Sequence, residues 1–145
     1  MAHIRFLDET MRDGQQSLWG MRMQAGMALP VAPIIDRTGY HTISLAGSSL
    51  FEVLIRQCRE DPWAGLDLLV KAMPNTPLRG GIRSNGSVTF GFTPDSLMDL
   101  WMTRLCVHGI RSWWIYDVLF NIEKMRRLAK LAKTFNCQVA GTMLF

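Results

Sequence analysis

The chain has 145 residues, 48% of them hydrophobic, enough to bury the core of one domain and too few for two of ordinary size. Sixteen Lys and Arg against twelve Asp and Glu leave a mild basic surplus, which suits anionic substrates or cofactors and does not indicate nucleic acid. No run of about 18 apolar residues is present to span a membrane, and the N-terminus lacks the basic-then-apolar order of a signal peptide, so a cytoplasmic protein is expected.

In chain order, Ile4 to Leu7 is a short, mostly apolar run that suits a first strand. A polar loop through Gly20 follows, and its opening Asp8 to Ser17 carries three carboxylates, an arginine and two glutamines. Gln24 to Arg37 has helical spacing, with a kink or restart expected at Pro30 and Pro33 and a stop at Gly39. His41 to Leu45 is the second strand, Ala46-Gly47-Ser48-Ser49 a small-residue turn, and Phe51 to Arg59 a helix. Asp61 caps, and Pro62 starts, a helix to Met73. Pro77 to Ile82 is the third strand. Thr93-Pro94-Asp95 opens a helix that ends by Gly109, Ser112 to Tyr116 is an aromatic fourth strand, and Asn121 caps a helix with an apolar stripe. Cys137 to Met143 begins a fifth strand. The basic run Lys124 to Lys133, with Glu123 as its acidic neighbour, reads as the solvated outer face of its helix. Cys58, Cys106 and Cys137 are odd in number and far apart, and read as reduced core thiols.

This strand–helix alternation, with strands too apolar to face water, predicts an α/β fold of parallel βα units. At about 31 residues per unit of a roughly 250-residue barrel, the chain covers about the first half of a TIM barrel. The expectation is five strands and four helical connections, with residues 1–145 forming a single partial (β/α)8 domain. In such folds ligands bind beyond the carboxyl ends of the strands, where Asp8 to Ser17 falls. An open half-barrel exposes its first and fifth strands as edges, so a continuing chain, a completing partner or a homo-oligomer is expected.

Four segments taken together carry a resemblance: R-D-G-Q-Q-S-L-W at Arg12 to Trp19, E-D-P-W at Glu60 to Trp63, P-N-T-P-L at Pro74 to Leu78, and I-Y-D at Ile115 to Asp117. In this order they resemble the carboxyltransferase domain of pyruvate carboxylase, the oxaloacetate decarboxylase α subunit and the transcarboxylase metal subunit, within the metal-dependent barrels that include hydroxymethylglutaryl-CoA lyase. The resemblance implies that Asp13 is a ligand of a divalent ion such as Zn, Mn or Co, that Gln16 contacts a 2-oxo acid, and that Arg83 binds its carboxylate. It also implies biotin, delivered as carboxybiotin on a carrier domain or subunit. A cation that accepts an aspartate oxygen polarises a 2-oxo group, a guanidinium fits a carboxylate in two places, and a neutral amide steadies an enolate oxygen.

The pattern also breaks. Where the family has E-V-W-G-G-A-T-F-D, this chain reads Ser44 to Glu52, and Trp114 replaces an arginine of F-R-I-F-D. The modified lysine and H-x-H pair of the family lie on later strands, and His3, His41 and His108 make no equivalent pair. Neither a Ser-His-Asp order nor a phosphate loop is present. Two readings follow: a metal- and biotin-dependent carboxyltransferase or decarboxylase of 2-oxo acids that needs a completing segment, or a catalytically inactive half-barrel serving as a structural or regulatory subunit.

Overall fold

The computed structural model describes residues 4–47, 49–86 and 91–143, so His3 and Ser48 lie outside the described residues. Five parallel strands form one sheet in chain order: β1 (Leu7–Asp8), β2 (Thr42–Ala46), β3 (Leu78–Arg83), β4 (Ser112–Tyr116) and β5 (Gln138–Thr142). A doubly wound sheet reverses its order at a switch point, whereas this one steps the same way throughout, as the first half of a TIM barrel does.

Between the strands lie helices α1 (Gln15–Trp19), α2 (Ala25–Ala28), α3 (Ala32–Asp36), α4 (Leu50–Val53), α5 (Pro62–Ala72), α6 (Asp95–Val107) and α7 (Ile122–Thr134). The pleat sends alternate side chains to opposite faces. On β3, Leu78, Gly80 and Ile82 are buried while Arg79, Gly81 and Arg83 are partly exposed; on β4, Trp113 and Ile115 are buried while Trp114 and Tyr116 are not. The buried set joins Leu66, Leu69, Met98, Met102, Leu105 and Leu128 in one core under the helices. The other set faces the inner side of the half-barrel. There Arg79 pairs in register with Ser112, Gly81 with Trp114 and Arg83 with Tyr116.

Caps set the longer helices as their sequences predict. Asp61 Oδ1 accepts from the backbone N–H groups of Trp63 and Ala64 with Pro62 in the first turn, and Asn121 Oδ1 accepts from that of Lys124. Gly109 closes α6 at φ 106°, where an added Cβ would stand 2.6 Å from Val70 Cγ1. The Gln24–Arg37 helix restarts as foreseen: α2 ends before Pro30, and Pro33 lies in the first turn of α3.

Four segments differ from their sequence reading. The first strand, expected at Ile4 to Leu7, is Leu7–Asp8, and Ile4 and Phe6 before it are exposed. The polar loop after β1 is helical, a π-turn over Thr10–Gly14 running into α1. Buried Asp8 accepts from the backbone N–H and hydroxyl of Thr10 at 3.1 and 2.8 Å, and Met11 plugs into the core at 1% exposure, which together wind the run into a helix. The segment expected as one helix from Phe51 to Arg59 is α4 followed by a π-turn over Leu54–Cys58, closed by Arg59 at φ 53°. The basic face of α7 is not wholly solvated: Arg127 pairs with Asp99 and, at 3.4 Å, with Asp95, both on α6.

Cys106 and Cys137 are buried with their sulfurs 3.7 Å apart, and Cys58 is half-buried; all three are free thiols. Burial pushes the Cys106 thiol up to about 12, against the opposing hydrogen bond from Trp113 Nε1. The Cys106 thiol is therefore a poor nucleophile at neutral pH.

At the opposite end of the sheet from the cavity described below, Asp36 ties the entry to β2 to the entry to β3. Its carboxylate accepts from Asn75 N (3.1 Å), Asn75 Nδ2 (2.7 Å) and Thr76 N (2.8 Å), while its carbonyl accepts from the Thr76 hydroxyl. Burial raises its pKa, but the hydrogen bonds from Asn75 and Thr76 outweigh this and hold it below the ordinary 3.8. The stabilisation is therefore full above that pH and is lost as pH falls through the lower folded-state value. Asp36→Ala is expected to cost about 2 kcal/mol at neutral pH, because it leaves buried donors unpaired, and to flatten the acid limb of the stability–pH curve. Urea unfolding of both proteins across the acid range checks both outcomes.

Candidate functional site

The carboxyl ends of β2, β3 and β4 and the helical turn after β1 line a partly open cavity of about 480 Å³, open solvent space included. Arg12, Gln16, Gly47, Arg83, Trp114 and Tyr116 are among the residues that line it. Each arrives for a local reason. Arg12 and Gln16 lie one helical turn apart on the Thr10–Trp19 segment, as residues spaced by four do. Arg83 and Tyr116 are inner-face residues at the carboxyl ends of their strands, and Trp114 is the inner-face residue in the middle of β4. An irregularity in the β2–β3 register between Ser44 and Ala46 turns Ala46 to the helix side and brings Gly47 to the cavity.

Arg12 is the most constrained group of the site. Its Nε stands 3.1 Å from Glu9 Oε2, its Nη1 donates to Asp13 Oδ1 at 3.0 Å, and its guanidinium lies 4.9 Å over the Trp114 ring. Trp114 in turn stacks on Tyr116, with centroids 4.7 Å apart and planes 23° from parallel. Glu9 is fixed by the Ser44 hydroxyl, which donates to Oε1 at 2.6 Å. Glu9, just after β1, thus brings a carboxylate against Ser44, the position at which the resembling family carries an acid.

Of the residues singled out in the sequence, Gln16 and Arg83 meet at this cavity. Asp13 does not line it; its side chain is 55% exposed and is joined to the site through Arg12. Arg83 donates from Nη2 to the Gly86 carbonyl at 3.0 Å, which folds the Ser84–Gly86 turn beneath it. Asp117 is buried. Its carboxylate accepts from the N–H groups of Leu119 and Asn121, and although burial opposes ionisation, these bonds, with Ser84 and Lys124, hold its pKa below the ordinary range. It shapes the β4–α7 loop beside the site.

Sequence reasoning missed Glu9 and the roles of Trp114 and Tyr116. The alternation of β4 around Trp113 and Ile115 was the available signal for the last two. Glu9 carried none, because its partner Ser44 lies 35 residues away.

The residues present do not make a metal centre by themselves. Among the described residues no group of three or more His, Cys, Asp or Glu could hold an ion. His108 is engaged elsewhere, between Asp67 at 2.6 Å and Arg104 at 3.0 Å on the helix side. Asp13 offers one hard oxygen donor.

No family model matches the chain. It is 32% identical over 142 residues to a component of the pyruvate carboxylase of Methanocaldococcus jannaschii, an alignment that covers 98% of this chain and 25% of that protein. It superimposes on the carboxyl transferase domain of Rhizobium etli pyruvate carboxylase, solved with pyruvate and biocytin, with a TM-score of 0.90 at 25% identity over 99% of this chain and 24% of that one. The chain is related to the pyruvate carboxylase carboxyltransferase domain. It corresponds to the N-terminal half-barrel of that domain, as the four sequence segments imply. A third relative is the 2-oxoglutarate carboxylase large subunit of Hydrogenobacter thermophilus, 28% identical over 130 residues, 90% of this chain and 20% of that protein. The chain thus spans a quarter or less of the length of these relatives. No helix among the described residues is long and apolar enough to cross a membrane.

Within this carboxyltransferase-like half-barrel, Gly47 lets Arg12 approach, since an added Cβ would stand 3.0 and 3.1 Å from Arg12 Cδ and Cγ. Gly47→Ala is expected to push the guanidinium off the Trp114 face with little loss of overall stability. A changed emission maximum on excitation of tryptophan, with unchanged far-ultraviolet circular dichroism, checks it.

Proposed function

We propose that the chain supplies one wall of a biotin- and metal-dependent carboxyltransferase or decarboxylase site for a small 2-oxo acid of the pyruvate or oxaloacetate kind, completed by a further segment or a partner chain. The observation that carries this reading is the convergence of Gln16, Arg83 and the clamped Arg12 on one cavity at the carboxyl ends of parallel strands. The Arg83 guanidinium makes that cavity a receptor for an anion, while the charge of Arg12 is offset by Glu9 and Asp13.

In this reading Arg83 pairs with the substrate carboxylate. The Gln16 amide donates to the oxygen that becomes negative as the enolate forms, a neutral donor that needs no proton exchange. Trp114 and Tyr116 form an apolar wall that excludes water on the β4 side. Asp13 would give one oxygen to a divalent cation, with its other donors coming from outside the described residues. Such a cation, when bound, withdraws charge from the 2-oxo group. Carboxybiotin on a carrier domain or subunit is the carboxyl donor that the relatives suggest.

The test is to co-express the chain with the remaining half-barrel of a relative and to follow oxaloacetate decarboxylation and bound metal. Arg83→Ala is expected to weaken 2-oxo acid binding by about 10- to 100-fold, as the loss of a charge-assisted pair does. Asp13→Ala is expected to lower metal content and rate together. A complex that keeps its full rate with Asp13→Ala would refute this reading.

A further inference from the structure

Ser49 carries two costs at one position. It is 1% exposed and its hydroxyl oxygen is buried with no hydrogen-bond partner among the described residues. Its backbone sits in the left-handed region at φ 64°, which a non-glycine residue adopts only under strain. A buried hydroxyl without a partner is destabilising, and the same position aligns with the alanine of the family's E-V-W-G-G-A-T-F-D, so the fold does not require the oxygen.

Ser49 lines the cavity that Arg12, Gln16 and Arg83 share. Those three side chains are donors toward an anion; a serine hydroxyl rotates to donate or to accept. We infer that Ser49 is a ligand-binding residue of this cavity, its hydroxyl completing the hydrogen bonding of an oxygen on the bound 2-oxo acid. This rests on the reading of the cavity as a 2-oxo acid site. The two costs are then a preorganisation: the hydroxyl is held dry and unpaired until the ligand arrives, so that binding gains a bond without breaking one in the protein.

Such a role has an unusual signature, because removing the group should help the empty protein and harm the complex. The probe is oxamate, titrated into the 145-residue chain and followed by two-dimensional NMR, with thermal unfolding of the ligand-free protein measured alongside. For both Ser49→Ala and Ser49→Gly we expect an unfolding temperature equal to or above that of the unsubstituted chain and a dissociation constant raised about fivefold to tenfold, the loss of one buried hydrogen bond. Glycine, which accepts the backbone angle freely, should be the more stable of the two. A lowered unfolding temperature in both variants would show a structural partner and overturn the inference. Unchanged oxamate affinity in both would overturn it while leaving the 2-oxo acid reading intact. Absence of oxamate binding to the unsubstituted chain overturns both.

Discussion

Two adjacent tryptophans divide this molecule. Trp113 is fully buried against the helices, and one residue on, Trp114 faces the inner side and holds a guanidinium. The period of two in an extended strand imposes that division on β3 and β4, and on β2 as far as the irregularity after Ser44, and it separates packing from chemistry. Residues turned outward are apolar and meet the helices: Ile43, Leu78, Ile82, Ile115. Residues turned inward carry polarity: Ser44, Arg79, Arg83, Tyr116. A slip of one residue in β4 would place Trp114 in the core and Trp113 in the cavity, and both functions would fail at once.

Inner-face charge is held in a network in which few groups stand alone. Ser44 fixes Glu9, Glu9 and Asp13 flank Arg12, and Arg12 lies on Trp114, which lies on Tyr116. Every link is short-ranged, yet the chain reaches from β1 across to β4. The geometry of the cavity is thereby fixed by side chains as well as by the sheet.

The segments with strong punctuation were legible in the sequence. β4 occupies the span predicted for it, and α5 and α7 begin at the caps that Asp61 and Asn121 announce. What the sequence hid are features decided by contacts distant along the chain. The turn after β1 reads as a loop because its residues are polar, and it winds only because Asp8 and Met11 are buried by the rest of the fold. The basic run on α7 reads as a solvated face because Asp95 and Asp99 belong to another helix. The site followed the same rule. Gln16 and Arg83 were legible through resemblance, whereas Glu9, which meets Ser44 from 35 residues away, was not.

Strand β1 consists of Leu7 and Asp8 alone, in register with Thr42 and Ile43, with one further bond from His41 N to the Phe6 carbonyl. The apolar side chains just before it, Ile4 and Phe6, are more than two-thirds exposed. Short and lightly packed, it is drawn from the low end of the local stability scale, and it is also the strand that delivers Glu9 and Arg12 to the cavity. Opening of this edge and loss of the site are therefore a single event in free-energy terms. By linkage, any anion that grips Arg12 must slow the exchange of the β1 amides with solvent, and any contact that seals this edge must tighten the hold on the anion.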